Sequence, residues 1–191
     1  GAGGASEIND LSDAFTADSG QVIALGTGAL ANDNGSEENT ALGYNALNSA
    51  TTGSYNTALG YKALQNNATS NGNTAVGRQS MLSCNGGNGN TGVGNIALKD
   101  LTTGLYNSAV GSASSSKVST GSRNTSIGYT ALFSTTTGAD NVAMGSGSLY
   151  SNTTSNNNIG VGTNALYSCT GANNTTLGYQ AGNSITTGSN N

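Results

Sequence analysis

Acid–base and nucleophilic chemistry near neutral pH needs a positioned proton acceptor, and this 191-residue chain contains no histidine. Beyond Glu38 its carboxylates are Asp100 and Asp140. Serine and threonine are plentiful, but a hydroxyl nucleophile requires a base beside it, and nothing at fixed spacing supplies one. The stretch Gly26-Thr27-Gly28-Ala29-Leu30 has the glycine spacing of a phosphate loop but lacks the lysine and the flanking helix of one. A calcium-binding β-roll needs an aspartate in every turn, and no such column exists. Cys84 and Cys169 are two thiols far apart in the chain, too few for a metal site. The chain is therefore expected to carry no catalytic residue, no metal and no cofactor.

What the residues do show is repetition. "NTALGYNAL" at 39–47 returns as "NTALGYKAL" at 56–64. With the glycine of "ALG" as marker, the copies fall at Gly26, Gly43, Gly60, Gly77, Gly94, Gly111, Gly128, Gly145, Gly162 and Gly178. Every step is seventeen residues except the last, which is one shorter. Before the marker stands an apolar column: Leu25, Leu42, Leu59, Val76, Val93, Val110, Ile127, Met144, Val161 and Leu177. Four residues after it stands a second: Leu30, Leu47, Leu64, Met81, Leu98, Leu132, Leu149 and Leu166, interrupted by Ser115 and Gly182. Both are expected to be core. Four before the marker stands asparagine: Asn39, Asn56, Asn73, Asn90, Asn107, Asn124, Asn141, Asn158 and Asn174. Asparagine tolerates left-handed turns, and stacked amides can bond as a ladder.

So short a repeat, with two glycine-marked breaks in it, leaves no room for a packed helix. "TALG" reads as a short strand, and the following "xAL" reads as a second. Two strands and two turns per repeat make one coil of a solenoid whose neighbours stack about 4.8 Å apart. The fold expected is an all-β parallel β-solenoid (β-helix or β-roll) of about ten coils, a rod roughly 50 Å long. Residues 1–20 read as a linker and 21–191 as the solenoid. Asn191 stands in the phase of Asn56, so both ends are expected to be cuts in a longer polypeptide. At this spacing Cys84 and Cys169 lie about 24 Å apart, beyond disulfide reach, and are expected to be free thiols at a turn.

Composition narrows the function. Charged residues are 7%, and seven of the nine acidic residues lie at or before Glu38. The repeats are near neutral, without a basic stripe for a phosphate backbone or an apolar run long enough to span a bilayer. Neither nucleic-acid binding nor membrane insertion is expected. Disorder is disfavoured because the apolar residues recur in fixed places. Asn-x-Ser/Thr triplets such as Asn67-Ala-Thr69 arise readily in this composition and are weak glycosylation signals.

Two columns could touch a ligand. Thr40, Thr57, Thr74, Thr91, Thr125 and Thr175 lie three before the marker. An ordered threonine array can organise water as ice-binding proteins do, but this column shares strand parity with the leucines and is expected to face inward. Tyr44, Tyr61, Tyr129 and Tyr179 follow the marker, where a tyrosine could stack on a glycan ring or pack at a coil edge.

With about two large aliphatic side chains per coil, the interior is thin, and burial against further copies would add to it. A parallel homo-oligomer keeps each repeat level with its copy, so association is expected, and the energetics do not fix its number.

The segment "NTALGYNALNSATTGSYNTALGYKAL" resembles the repeats of phage tail fibre proteins. "NTALG" is more distantly similar to the "NSVAIG" element of the head β-roll in YadA-like trimeric adhesins, and the leader "EINDLSDAFTADSG" looks like the linkers that precede fibre repeats. The resemblance implies a trimeric, non-enzymatic fibre segment in a virion appendage, a rigid spacer in host attachment. Its ends would meet other virion or envelope proteins, and a host glycan or protein would be the target. The alternatives are the head or stalk of a bacterial surface adhesin and, less prominently, an ice-binding solenoid. Either fibre reading places the chain in a virion or otherwise at a cell surface.

Overall fold

The computed structural model describes residues 14–17 and 21–191. Most of the segment expected to be a linker lies outside the described residues. Its residues Ala14–Ala17 form strand β1, which pairs antiparallel with β2 (Val22–Leu25). Nine further strands follow at the repeat period: β3 (Thr40–Leu42), β4 (Thr57–Leu59), β5 (Thr74–Val76), β6 (Thr91–Val93), β7 (Ser108–Val110), β8 (Thr125–Ile127), β9 (Val142–Met144), β10 (Ile159–Val161) and β11 (Thr175–Leu177). Strands β2 to β11 are parallel and stack in chain order within one sheet. Equivalent residues face each other from coil to coil, as in Thr40↔Thr57, Ala41↔Ala58 and Leu42↔Leu59. The fold is an all-β parallel β-solenoid, and its ten stacked strands span about 43 Å.

Each coil has one strand, not two. The "xAL" run is a turn whose leucine adopts left-handed backbone angles, with φ of 48° at Leu47, 49° at Leu64 and 52° at Leu166. Two more left-handed corners recur in most coils, exemplified by Lys62 (φ 57°) and Tyr55 (φ 63°). Such angles cost a non-glycine residue about 1–2 kcal/mol. Stacking offsets that cost, because the corner N–H groups join the inter-coil ladder: Leu47 donates to the Ala63 carbonyl at 3.0 Å and Lys62 to that of Tyr44 at 2.8 Å. A sequence pattern of apolar and small residues reports that these side chains are buried. It does not report that the chain is turning when it buries them.

The core differs from expectation in one column. Leu47, Leu64, Met81, Leu98, Leu132, Leu149 and Leu166 are fully buried. The residues before the marker are not: Leu42 and Leu59 are each 42% exposed, Val110, Ile127, Met144 and Leu177 are also exposed, and Leu25, Val76, Val93 and Val161 are half-buried. The inward strand position belongs to the small residue between, Ala41, Ala58, Ala75, Gly92, Ala109, Ser126, Ala143 or Gly160. The cause is the width of the coil. A Cβ added at Gly92 would lie 2.7 Å from Ser80 Oγ and 3.1 Å from Met81 Cγ, so the strand opposite the buried leucine has room for little more than a methyl group. Side chains alternate along a strand. Once Asn and Ala point inward, Thr and Leu must point out.

Ser115 interrupts the buried leucine column and Ser126 the alanine column, and the two meet. Ser126 Oγ lies 2.7 Å from Ser114 Oγ and 2.8 Å from Ser115 Oγ. This hydroxyl cluster separates the apolar core into one part ending at Val118 and another beginning at Ala131.

Candidate interaction surfaces

The asparagine column is a bonded ladder inside the rod. Each Oδ1 accepts the backbone N–H of the next asparagine, at 2.8 Å from Asn56 to Asn39 and 2.8 Å from Asn107 to Asn90. Each Nδ2 donates to a turn carbonyl, for example Asn107 to Gly121 at 2.9 Å. Along the middle of the rod the amides also bond to each other, at 3.1 Å from Asn124 to Asn107 and 3.0 Å from Asn141 to Asn124. Asn191 continues the series on Asn174 at 2.8 Å. These amides are consumed by structure, and a ligand has no access to them. Asn67, of the triplet noted above, is likewise buried with its Oδ1 on the Ser70 N–H at 2.8 Å.

The marker glycines are equally occupied. Their φ values run from 119° to 137°, and a Cβ at Gly94 would sit 2.5 Å from the Gly111 carbonyl oxygen. Glycine is required at this column both by angle and by the closeness of the next coil.

Among the described residues the ionisable groups do not converge. Among the described residues no group of three or more His, Cys, Asp or Glu could hold a metal ion. Asp100 lies 3.5 Å from Lys99. Asp140 is gripped by Arg123 at 2.7 and 2.9 Å, and this hydrogen-bonded pairing holds its carboxyl below the usual carboxylate range. Cys84 and Cys169 are buried free thiols on the seventh residue after their markers. Burial pushes the Cys84 thiol up to about 11, against weaker opposing hydrogen bonds from Ser70 and the Gly87 backbone. A thiol held protonated is a poor nucleophile and a poor ligand. Two depressions, about 480 Å³ beside Gln180 and Ile185 and about 260 Å³ beside Ala29 and Asp33, lie on the last and first coils.

The outer surfaces are more informative. On the strand face every strand from β2 to β11 turns two side chains outward, a mostly β-branched one and an aliphatic one. Thr40, Thr57 and Thr175 are exposed there and Thr74, Thr91 and Thr125 half-buried. The threonines thus share a side with the leucines as parity requires, but that side is the outside. The result is a continuous ridge of methyl groups and hydroxyls along the whole stack.

The tyrosines flank this ridge. Tyr44 and Tyr61 stack with centroids 5.5 Å apart and planes at 11°, and Lys62 and Arg78 lie 5.3 and 5.8 Å from the Tyr61 ring centre. The two rings turn their faces to one another along the rod, so each has one face directed at the other. Tyr129 and Tyr179 are 64% and 74% exposed.

Three surface features escape sequence reasoning. Tyr55 and Tyr106 project from left-handed corners and are exposed. Phe133, Tyr150 and Tyr167 form a second aromatic stack with centroids 5.3 and 4.9 Å apart; their recurrence at the repeat period was the available signal. A second exposed threonine column, Thr52, Thr69, Thr103, Thr120, Thr137 and Thr154, runs along a turn at the same period.

No family model matches the chain, and no curated protein or solved structure is detectably similar to it.

Proposed function

We propose that this chain is a non-enzymatic structural rod: a fibre segment of a phage tail fibre or similar virion appendage, acting as a rigid spacer in host attachment, its copies associated in parallel as a trimer along the strand face. The observation that carries the reading is the unbroken outward aliphatic column on ten stacked, equivalent strands. Completing the burial of one half-exposed Leu, Val or Ile is worth about 1 kcal/mol, and ten coils raise this to roughly 10 kcal/mol per chain. That is comparable with the roughly 4–15 kcal/mol cost of association, so a long stack binds its copies where a few coils would not. Parallel copies at one height match coil for coil. The number three comes from the resemblance to fibre repeats.

In this reading the coil number sets the spacer's length, and the inter-coil hydrogen bonds resist bending. Other virion or envelope proteins hold its ends. Exposed tyrosines such as Tyr129 and Tyr179 are the residues available to touch a host glycan or protein. The head or stalk of a bacterial trimeric adhesin would use the same physics, and an outer-membrane anchor encoded in the same gene would assign the chain to it.

Light scattering tests association. The expected mass is three chains, and Leu59→Asp with Val93→Asp is expected to release folded monomers with an unchanged circular dichroism spectrum. A wild-type monomer at high micromolar concentration would overturn the oligomer. A second reading has its own observation: the outward threonine column presents regularly spaced methyl and hydroxyl groups to water, as an ice-binding surface requires. Thermal hysteresis would support that reading, and its absence removes it.

A further inference from the structure

Asparagine precedes glycine four times, at 34–35, 71–72, 85–86 and 88–89. In such a pair the glycine backbone nitrogen, having lost its proton to solvent, can attack the asparagine side-chain carbonyl carbon. A C–N bond forms, the side-chain amide leaves as ammonia, and water opens the cyclic imide to aspartate or isoaspartate. The reaction consumes only water, and its rate depends on whether the glycine nitrogen and the asparagine side chain are free to meet.

Three of the pairs are clamped at both reacting groups by bonds between coils. Asn71 Oδ1 accepts the Ser54 N–H at 2.7 Å while the Gly72 N–H donates to the Ser54 carbonyl at 3.0 Å. Asn88 Oδ1 accepts the Asn71 N–H at 2.7 Å while the Gly89 N–H donates to the Asn71 carbonyl at 3.1 Å. Asn85 Oδ1 is held more loosely by the Ala68 N–H at 3.4 Å, and the Gly86 N–H donates to Ser70 Oγ at 2.5 Å. Freeing the Gly72 or Gly89 nitrogen requires local separation of coils, and freeing that of Gly86 requires the buried Ser70 side chain to turn away.

The fourth pair is different. Asn34 donates its backbone N–H to the Thr51 carbonyl at 3.0 Å. Among the described residues, neither its side chain nor the Gly35 N–H has a hydrogen-bond partner, and both residues are exposed. A Cβ at Gly35 would meet nothing within 4 Å, so the peptide has space in which to rearrange.

We propose that Asn34 is a site of spontaneous deamidation, selected from the four Asn-Gly pairs by the hydrogen bonding of the first coil. The product adds a carboxylate next to Asp33 and near Glu37 and Glu38, in a chain of net charge −4. Its isoaspartate form also inserts a methylene into the backbone of that coil. This inference does not depend on the fibre reading.

The test is incubation of the whole folded chain in mildly alkaline heavy-oxygen water, followed by peptide mass mapping, with a urea-unfolded sample in parallel. Asn34 is expected to convert at least about tenfold faster than Asn71, Asn85 and Asn88 when folded, and at a similar rate to them when unfolded. Ser70→Ala removes the acceptor of the Gly86 N–H and is expected to raise the Asn85 rate severalfold without changing that of Asn34. Another pair converting as fast as Asn34 in the folded chain overturns the proposal. So does an unfolded sample that keeps the folded order, or an Asn85 rate indifferent to Ser70→Ala.

Discussion

Comparing alanine at Gly94 with alanine at Gly72 separates two reasons for glycine in a stacked coil. Gly72 has φ 67°, and its nearest obstacle to a Cβ is the Gly89 nitrogen at 4.0 Å. Its column elsewhere carries Tyr55, Tyr106 and Arg123 at φ from 57° to 63°. Alanine there meets only the left-handed penalty of about 1–2 kcal/mol, reduced by about 0.4–1 kcal/mol through the stiffer unfolded chain. A net loss of about 1 kcal/mol is expected. Gly94 has φ 137° and would place the new Cβ 2.5 Å from the Gly111 carbonyl oxygen and 2.6 Å from its carbon. No flexible side chain can yield, so the coils must part and weaken the Gly94-to-Val76 and Gly111-to-Val93 bonds at 2.7 and 2.8 Å. Two weakened half-buried bonds together with the backbone strain should cost about 4 kcal/mol or more. Urea denaturation gives the global values, and hydrogen exchange shows whether the loss stays near coils 4 to 6 or spreads, since long repeats need not unfold in one step. Equal losses for the two variants, or a loss near that of Gly72→Ala at Gly94, would refute the claim that inter-coil contact dictates the marker.

Asn107→Ala removes the acceptor of the Asn124 N–H and the donor to the Gly121 carbonyl; two buried groups left unpaired should cost about 2–5 kcal/mol in urea denaturation. Ser115→Leu combined with Ser126→Ala restores both inward columns and joins the divided core, and an increase of about 1–3 kcal/mol is expected. Cys84 should resist thiol reagents at mildly alkaline pH until the chain unfolds. Because folding raises its pKa from the ordinary 9.0 to about 11, its contribution is intact below pH 9 and is lost as pH rises towards 11, a decline of about 2–3 kcal/mol that Cys84→Ala should abolish.

The period was legible because a solenoid writes its geometry into the chain: every coil must repeat what the adjoining coil needs. The marker glycines and the buried asparagines could be located by counting, since each is demanded by the same position in the next coil. That Thr40 and Leu42 share a side was also available, because alternation along a strand is local. Which side they share was not. It depends on how little space separates the strand from the turn that buries Leu47, and Ala41 is small enough to enter that space where Leu42 is not. The same is true of the "xAL" run, whose left-handed leucines are tolerated only because neighbouring coils bond their amides. Sequence alone determined the spacing, the identity of the columns and the kind of fold. The direction in which the large side chains point was decided by packing across the coil, and with it whether the rod presents a closed core or an aliphatic face to its surroundings.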